Sequence, residues 1–286
     1  MKICIVPVCY NAHEDALRFL ESVEKAFLAC PDLELDVVLA DNSTVGLPSA
    51  MAERQYAFTY RYLKNDNVGY FPAFSRALAS LVAPTTYFDY VMVCNVDLVV
   101  ASDFFTKLGG LVLAPRSGLI APGIYSDKDG RDLNPKIMHR PSSKKFEFMR
   151  VVCSSPVLFK WYSGLSRMRE RARSRSQKRQ STLAQTPQSS APAPQKMYGA
   201  HGSFMIFTKN YFQQGASVDY PRFLFGEEVF VAEQLRMYQL EIEHAPCVRV
   251  FDKEHASTSQ ANFKFICGEH KKSYEYLISN FFAGKA

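Results

Sequence analysis

The sequence predicts an α/β fold built on a mainly parallel sheet with helices on both faces, and three observations predict it. Short, continuous apolar runs alternate with amphipathic stretches from Met1 to about Pro122. The runs are too short for buried helices and lack the polar alternation of half-exposed strands, as expected of strands covered on both faces. Polar turn residues follow several of them, at the carboxyl ends where sheets of this kind bind ligands.

The elements come in order. Ile3-Cys4-Ile5-Val6 is the first strand, and Leu17, Leu20, Val23 and Phe27 recur behind it at helical spacing. Leu35 to Ala40, Phe58 to Leu63, Tyr90 to Cys94 and Gly118 to Ala121 supply further strands. Helices are expected near Pro48 to Tyr56, Pro72 to Val82 and Ser102 to Leu113, with Ser102 placed to cap the last of these. From Ser163 to Gln195 the chain turns Arg-, Ser-, Gln- and Pro-rich and loses apolar periodicity after Met168, as a mobile insertion would. Order is expected to resume at Met197. Ser203 to Phe207 and Cys247 to Phe251 then read as strands, Glu227 to Tyr238 as a helix and Phe263 to Phe282 as a last amphipathic helix.

Composition sets the class. Hydrophobic residues make up 47% and charged residues 22% of 286 residues, a globular profile with length enough for a sizeable core. No run of about 18 apolar residues and no leader pattern occurs, so a cytosolic, non-spanning protein is expected. The seven cysteines are scattered with no CxxC pair, which fits a reducing compartment. The net charge of +6 is local: residues 160–180 hold eight basic residues and one acid, leaving the remainder at −1.

Several residues stand where chemistry is expected. Asp41 follows the strand ending at Ala40, where a carboxylate can accept a hydrogen bond from the imide N–H of uracil or thymine. The same Asp41-Asn42-Ser43 equally suits a plain turn. Asn95 and Asp97 follow the strand ending at Cys94. Two apart, they point to one side in extended geometry and offer oxygen ligands that suit Mg²⁺ or Mn²⁺, or else they form a turn before the next helix. Glu227 and Glu228 open a helix, where its dipole already favours carboxylates. Adjacent helical residues lie about 100° apart, so only one of the pair is expected to face a given cleft. A carboxylate held there against Phe225 and Phe230 would have a raised pKa and could serve as a general base. His255 follows a strand and is a metal ligand or an ordinary surface residue.

Taken in order, the segments resemble the inverting family 2 glycosyltransferases. Pro7-Val8-Cys9-Tyr10-Asn11, Ala40-Asp41-Asn42-Ser43, Asn67-Val68-Gly69-Tyr70 and Cys94-Asn95-Val96-Asp97 carry the likeness first. Gly199-Ala200-His201-Gly202-Ser203-Phe204, Phe223 to Glu228 and Glu254-His255-Ala256-Ser257-Thr258 complete it. The rhamnosyltransferase-like, capsule and O-antigen members are the most similar. The resemblance implies a GT-A fold, a Rossmann-like sheet joined to an acceptor-binding half and a C-terminal helix. The corresponding division is a nucleotide-sugar-binding half over 1–125, a connecting segment over 126–162, a flexible basic insertion over 163–196, an acceptor and catalytic half over 197–262 and the last helix over 263–286.

The resemblance also implies roles. Asp41 would hold the nucleobase with Tyr10 and Asn11 near it, and Val8, Asn67, Gly69, Asn95, Val96, Asp97, His201 and Gly202 would complete the nucleotide-sugar site. Asp97 would bind Mn²⁺ or Mg²⁺, with His255 and Asn95 as further ligands. Glu228 would be the general base and Glu227 its partner, at a position where the family usually has Asp, so the two roles could be exchanged. Asn95 departs from the commoner Asp-x-Asp and is a weaker cation ligand. The expected activity is transfer from a UDP- or dTDP-sugar to a saccharide acceptor, lipid-linked, in surface polysaccharide synthesis. The apolar and polybasic stretch 151–179 would then visit the inner face of the cytoplasmic membrane, or be a merely solvated loop.

Two other classes compete. The arginine-rich segment alone could bind nucleic acid, but the near-neutral remainder shows no interleaved basic and aromatic stripe, and no nucleic-acid partner is expected. A nucleotidyltransferase or a dinucleotide-dependent oxidoreductase could use a similar sheet. Neither GxGxxG nor GxxxxGK[ST] follows the first strand, which argues against a dinucleotide cofactor or a P-loop.

Overall fold

A computed structural model describes residues 1–164, 195–253 and 262–283. The chain forms two compact units, one of residues 1–140 and 193–256 and the other of residues 141–192 and 257–286.

The larger unit holds an eight-stranded sheet. Its strands are β1 (Lys2–Cys9), β2 (Glu34–Asp41), β3 (Thr59–Lys64), β4 (Tyr90–Asn95), β5 (Leu98–Val100), β6 (Ser117–Ser126), β7 (Phe204–Thr208) and β8 (Glu241–Asp252). They lie in the order β3-β2-β1-β4-β7-β6-β8-β5. The first four are parallel, as the apolar runs predict. Beyond β4 the sheet is mixed, because β7 runs antiparallel to both β4 and β6 while β8 runs parallel to β6. The chain steps outward from β1 through β2 to β3, then crosses back to lay β4 on the other side of β1. Between β1 and β4 the order reverses, and such switch points open a crevice beyond the strand ends.

The central strands are buried at consecutive positions, and alternate residues share one face of the sheet. Ile3, Ile5, Val37, Leu39 and Met92 share a core with Phe19, Leu20 and Val23 of the helix His13–Leu28 and with Phe104, Phe105 and Leu108 of the helix Phe104–Gly109. Phe71, Phe74, Phe207, Tyr211, Tyr220 and Phe230 form a chain of aromatic contacts, with Phe74 stacked on Phe207 at 5.8 Å between centroids. Several element boundaries differ from expectation: the helix expected over Pro48 to Tyr56 is only Ser49–Ala52, and the strand expected over Cys247 to Phe251 runs Glu241–Asp252. The helix after β5 starts at Phe104 with Asp103 at its N-cap, so Ser102 does not cap it. The expected helix near Pro72 begins two residues earlier, at Tyr70, because Gly69 takes a positive φ of 96° and turns the chain directly into it.

The smaller unit is helical in its described residues. It comprises the helix Ser143–Val152, capped by the Ser142 side chain, a helical stretch over residues 156–164, and the helix Phe263–Leu277 running into a π turn at Ile278–Phe282. Met149, Val152, Cys153, Phe159 and Cys267 form its core, with Tyr162, Phe263, Ile266 and Tyr274 packed around them. No described helix is long and apolar enough to cross a membrane.

Candidate functional site

Strand register brings the first candidates to one edge of the larger unit. Val8 pairs with Ala40 on one side and Asn95 on the other, Cys9 pairs with Asp41, and Asp41 pairs with Lys64. The ends of four parallel strands are therefore level, and the turns that leave them meet.

Those turns are bound to one another. Asn11, at a positive φ of 52°, donates its backbone N–H to Ser43 Oγ at 2.7 Å, and its Oδ1 accepts from the Thr44 backbone at 3.0 Å. Asn42 Nδ2 donates to the Gly69 carbonyl at 2.9 Å. The Tyr70 backbone N–H donates to the Phe223 carbonyl at 3.0 Å, and the Tyr70 hydroxyl donates to the Gly202 carbonyl at 2.8 Å. Gly69 is required here, since a Cβ would stand inside the Phe223 carbonyl group. Five of the sequence segments singled out above thus form one hydrogen-bonded rim.

At the β2 end Asp41 is fully buried. Its Oδ1 accepts from the Ser43 backbone at 2.9 Å, and its Oδ2 accepts from the Tyr62 hydroxyl at 2.7 Å and from His13 Nε2 at 3.1 Å. Burial alone would raise its carboxyl, but these donors outweigh burial and hold it below the usual carboxylate value. Tyr62 and Lys64 also line a cavity of about 400 Å³ with Gly46, Leu47, Ala52 and Tyr60. Lys64 Nζ donates to the Ser43 carbonyl, closing the turn. Tyr10 is exposed at the rim and Asn67 is exposed in the bend before Gly69.

The carboxylates of Glu227 and Glu228 converge, against the expectation that only one of them could face a given cleft. A Cβ placed on Gly202 would lie 2.8 Å from Glu227 Oε1 and 3.2 Å from Glu228 Oε1. Two features make this possible. Gly226 begins the helix in the left-handed region, at φ 88°, and Gly202 has no side chain to hold the pair apart. Burial pushes Glu227 up to about 8, with the like charge of Glu228 adding to it. The buried Tyr70 hydroxyl is raised by the same surroundings, burial first, then Cys94, Glu227, Asp97 and Glu228. Asp97 and both glutamates therefore act electrostatically on one spot.

Asn95 ends β4, and its backbone N–H donates to the Ser203 carbonyl at 2.9 Å. Val96 faces the core, so only its backbone is open to a ligand. Asp97 lies in the bend between β4 and β5, where its carbonyl accepts from the Lys253 backbone at 3.4 Å. His255 lies outside the described residues, as does residue 254 before it. Asp97 and Asn95 carry the kind of oxygen donor that a hard divalent cation such as Mn²⁺ or Mg²⁺ takes. A second group, Cys9, His13 and Asp41, brings its candidate ligand atoms within 4.8 Å of one another. Burial pushes the Cys9 thiol up to about 11, so the thiol holds its proton unless a metal displaces it, and His13 donates to Asp41.

His201 sits on the turn before β7. Burial, with Lys136 nearby, pushes its ring down to about 3, so it is neutral. Its Nδ1 accepts from the Ser203 backbone at 3.2 Å and from the Ser203 hydroxyl at 2.8 Å, which leaves its proton on Nε2. The turn is anchored by residues that sequence patterns did not pick out. Asn134 Oδ1 accepts from the His201 backbone at 2.8 Å. Buried Glu233, on the helix Glu227–Met237, accepts from Arg140 Nε at 2.6 Å, the Tyr198 hydroxyl at 2.6 Å and Arg236 Nε at 2.8 Å. The segment leading to His201 and Gly202 is thereby fastened to the helix that carries Glu227 and Glu228.

Comparison with known proteins follows the same line. The profile of glycosyl transferase family 2 matches residues 4–212. No curated protein sequence matches this chain. Among solved structures, GalNAc-T7 with UDP, GalNAc and Mn²⁺ is similar at a TM-score of 0.55 and 14% identity, covering 91% of this chain and 44% of that one. S. aureus TarS 1–349 in complex with UDP-GlcNAc is similar at 0.55 and 10% identity, covering 92% and 62%. The mannosyltransferase PcManGT from Pyrobaculum calidifontis, in complex with GDP-Man and Mn²⁺, is similar at 0.50 and 14% identity, covering 96% and 70%. This chain thus spans less than half the length of the first of them. Identities this low speak for the fold, which is the GT-A arrangement of α/β sheet and helices.

Proposed function

The chain belongs to glycosyl transferase family 2, and from that premise we propose that it transfers a hexosyl or rhamnosyl unit from a UDP- or dTDP-sugar to a saccharide acceptor, inverting the anomeric centre. One observation carries the reading. A buried carboxylate rich in donors, Asp41, and a crowded carboxylate pair, Glu227 and Glu228, stand at turns of one hydrogen-bonded rim beyond the strand ends. The first suits recognition and the second proton transfer.

Asp41, held ionised by Ser43, Tyr62 and His13, would be the acceptor for a pyrimidine imide N–H, and Tyr10, exposed just after the paired strand residue Cys9, would cover the ring. Val8, Asn11, Asn67, Gly69 and Val96 shape the cradle. Structures of like fold hold UDP-GlcNAc, or UDP and GalNAc with Mn²⁺, which supports a nucleotide-sugar donor. Asp97 and Asn95 would hold a divalent metal, with His255 as a further ligand. Such an ion, when bound, neutralises the donor diphosphate as it leaves.

Burial and the neighbouring carboxylate favour a proton on Glu227, which leaves Glu228 for the role of base toward the acceptor hydroxyl. The hydroxyl oxygen then attacks the anomeric carbon from the face opposite the leaving diphosphate. His201 offers Nε2–H, and Gly202 leaves room for the acceptor against the two glutamates. The acceptor is lipid-linked and the product enters surface polysaccharide, capsule or O-antigen, at the inner face of the cytoplasmic membrane.

The test is a panel of UDP-, dTDP- and GDP-sugars scored for nucleotide release with and without Mn²⁺. Release from a UDP- or dTDP-sugar that falls when the metal is chelated or Asp97→Ala is introduced is expected. Release from none of them, or release indifferent to Asp97→Ala, rejects the reading.

A further inference from the structure

The two units carry opposite charge. By sequence the smaller has fifteen Lys and Arg against four Asp and Glu, and the larger nineteen against twenty-four. Among described residues alone, the smaller unit has seven basic side chains, Lys144, Lys145, Arg150, Lys160, Lys264, Lys271 and Lys272, against three acids.

The same unit is rich in exposed apolar side chains. Of sixteen large exposed hydrophobic residues among those described, six belong to it: Phe148, Val151, Val157, Leu158, Trp161 and Phe265. Five of these sit on two helical stripes. Lys144, Phe148 and Val151 recur at i, i+4 and i+7 on the helix Ser143–Val152, whose other face buries Phe146, Met149 and Val152. Val157, Leu158 and Trp161 recur at i, i+1 and i+4 over 156–164, where Phe159 is buried in the core and Tyr162 packs against it. The Phe148 and Tyr162 rings meet at 5.9 Å, which sets the two helical stretches side by side. Scattered exposed apolar residues need no explanation, but a rimmed cluster does.

We infer that this face of the smaller unit docks on an anionic lipid bilayer, with Phe148, Val151, Val157, Leu158 and Trp161 entering the headgroup boundary and Lys144, Lys145 and Lys160 holding lipid phosphates. Both halves of the pattern are what interfacial helices use. A second copy of this chain is a poor partner, since two such faces would set like charges together. A nucleic acid would use the lysines and leave the aliphatic side chains without a role. The inference extends the reading of a lipid-linked acceptor and rests on it only for its purpose, because the surface is tested without substrate.

Trp161, 72% exposed, is the only tryptophan, so its fluorescence reports this face directly. The full chain is titrated with vesicles of phosphatidylcholine alone and of phosphatidylcholine mixed with phosphatidylglycerol. A blue shift with the mixed vesicles only, and co-sedimentation with them, is expected. Phe148→Ser with Val157→Ser should weaken binding at least tenfold, and Lys144→Ala, Lys145→Ala and Lys160→Ala about fivefold each. These side chains are exposed, and circular dichroism identical to the parent's confirms folding. No blue shift, equal binding to neutral vesicles, or unchanged binding by the Phe148→Ser, Val157→Ser chain overturns the inference. So does a DNA duplex that binds where vesicles do not, or a parent dimer that the same double substitution dissociates. Sugar-nucleotide turnover is assayed alongside. Turnover without vesicle binding sinks only the surface, and vesicle binding without turnover sinks only the proposed activity.

Discussion

Asp41 and Glu227 are both carboxylates on one rim, yet their surroundings push them in opposite directions. Asp41 has no exposed surface, and burial by itself would raise it, but three donors reach its two oxygens and keep it charged. Glu227 has instead a second carboxylate for a neighbour, and burial drives it up to about 8. Burial pushes both acids upward, and the donors around Asp41 are what reverse its shift. One end of the rim is built to stay ionised and the other to exchange a proton near neutrality.

Breaking the proton-exchanging end should have the largest effect. Glu228→Gln keeps shape and removes the basic oxygen, so transfer is expected to fall by roughly 10²–10⁴ with donor affinity nearly intact. Paired kinetics on Glu227→Gln decide the assignment, since the greater loss in that variant would exchange the two roles. The same variant exposes a stability effect of opposite sign. Unfolded, Glu227 loses its proton near the ordinary carboxyl value of 4.5, whereas folded it keeps it to about 8. The folded state thus binds more protons through that window, and the stability that neutral Glu227 contributes at low pH is lost as pH rises. Glu227→Gln should melt higher than the parent by a margin that widens from pH 5 to about 8 and then levels, read by thermal denaturation along a pH series.

Asp41→Asn sharpens the other half of the comparison. An amide turns an N–H₂ toward groups that are themselves donors, so a loss of about 1–3 kcal/mol is expected, with weaker nucleotide binding. Here the folded pKa is lowered, so the stability from ionised Asp41 is present at neutral pH and lost as pH falls below the ordinary value of 3.8. The parent should therefore steepen in its acid unfolding where Asp41→Asn does not. Matching acid limbs in the two proteins would show that the Ser43, Tyr62 and His13 bonds do not set the charge.

What could be read from residues alone follows the same division between local and distant causes. The parallel strands were legible because each announces itself as a buried run, and the turn residues after them stand beside the run that predicts them. β5 was missed because three residues, Leu98–Val100, are too few to show a period. Tyr62 and Lys64 were missed because they sit on the neighbouring strand, and strand-pair register has no local sign. Glu233 lies inside an ordinary helical stretch, while its partner Arg140 sits ninety-three residues earlier in a segment read as a connector. The meeting of Glu227 with Glu228 was excluded by an ideal helix, and it took Gly202, twenty-five residues upstream, to permit it.

Tyr70 ties these two ends together, so removing its hydroxyl is the gentlest way to ask whether they act as one site. The ring is held by Phe71 and its backbone by Phe223, while the hydroxyl makes the 2.8 Å bond to the Gly202 carbonyl, directly beside both glutamates. Tyr70→Phe leaves packing unchanged and deletes one neutral hydrogen bond, a cost of about 1 kcal/mol. If that bond only stabilises the fold, melting temperature falls and the pH dependence of transfer stays where it was. If it also sets the position of Gly202 against Glu227 and Glu228, loosening it eases their crowding, and the alkaline limb of the rate profile should move to lower pH while the KM for the nucleotide sugar holds. A rate profile superimposable on the parent's would confine Tyr70 to the architecture and leave the carboxylate pair to be tuned by burial alone.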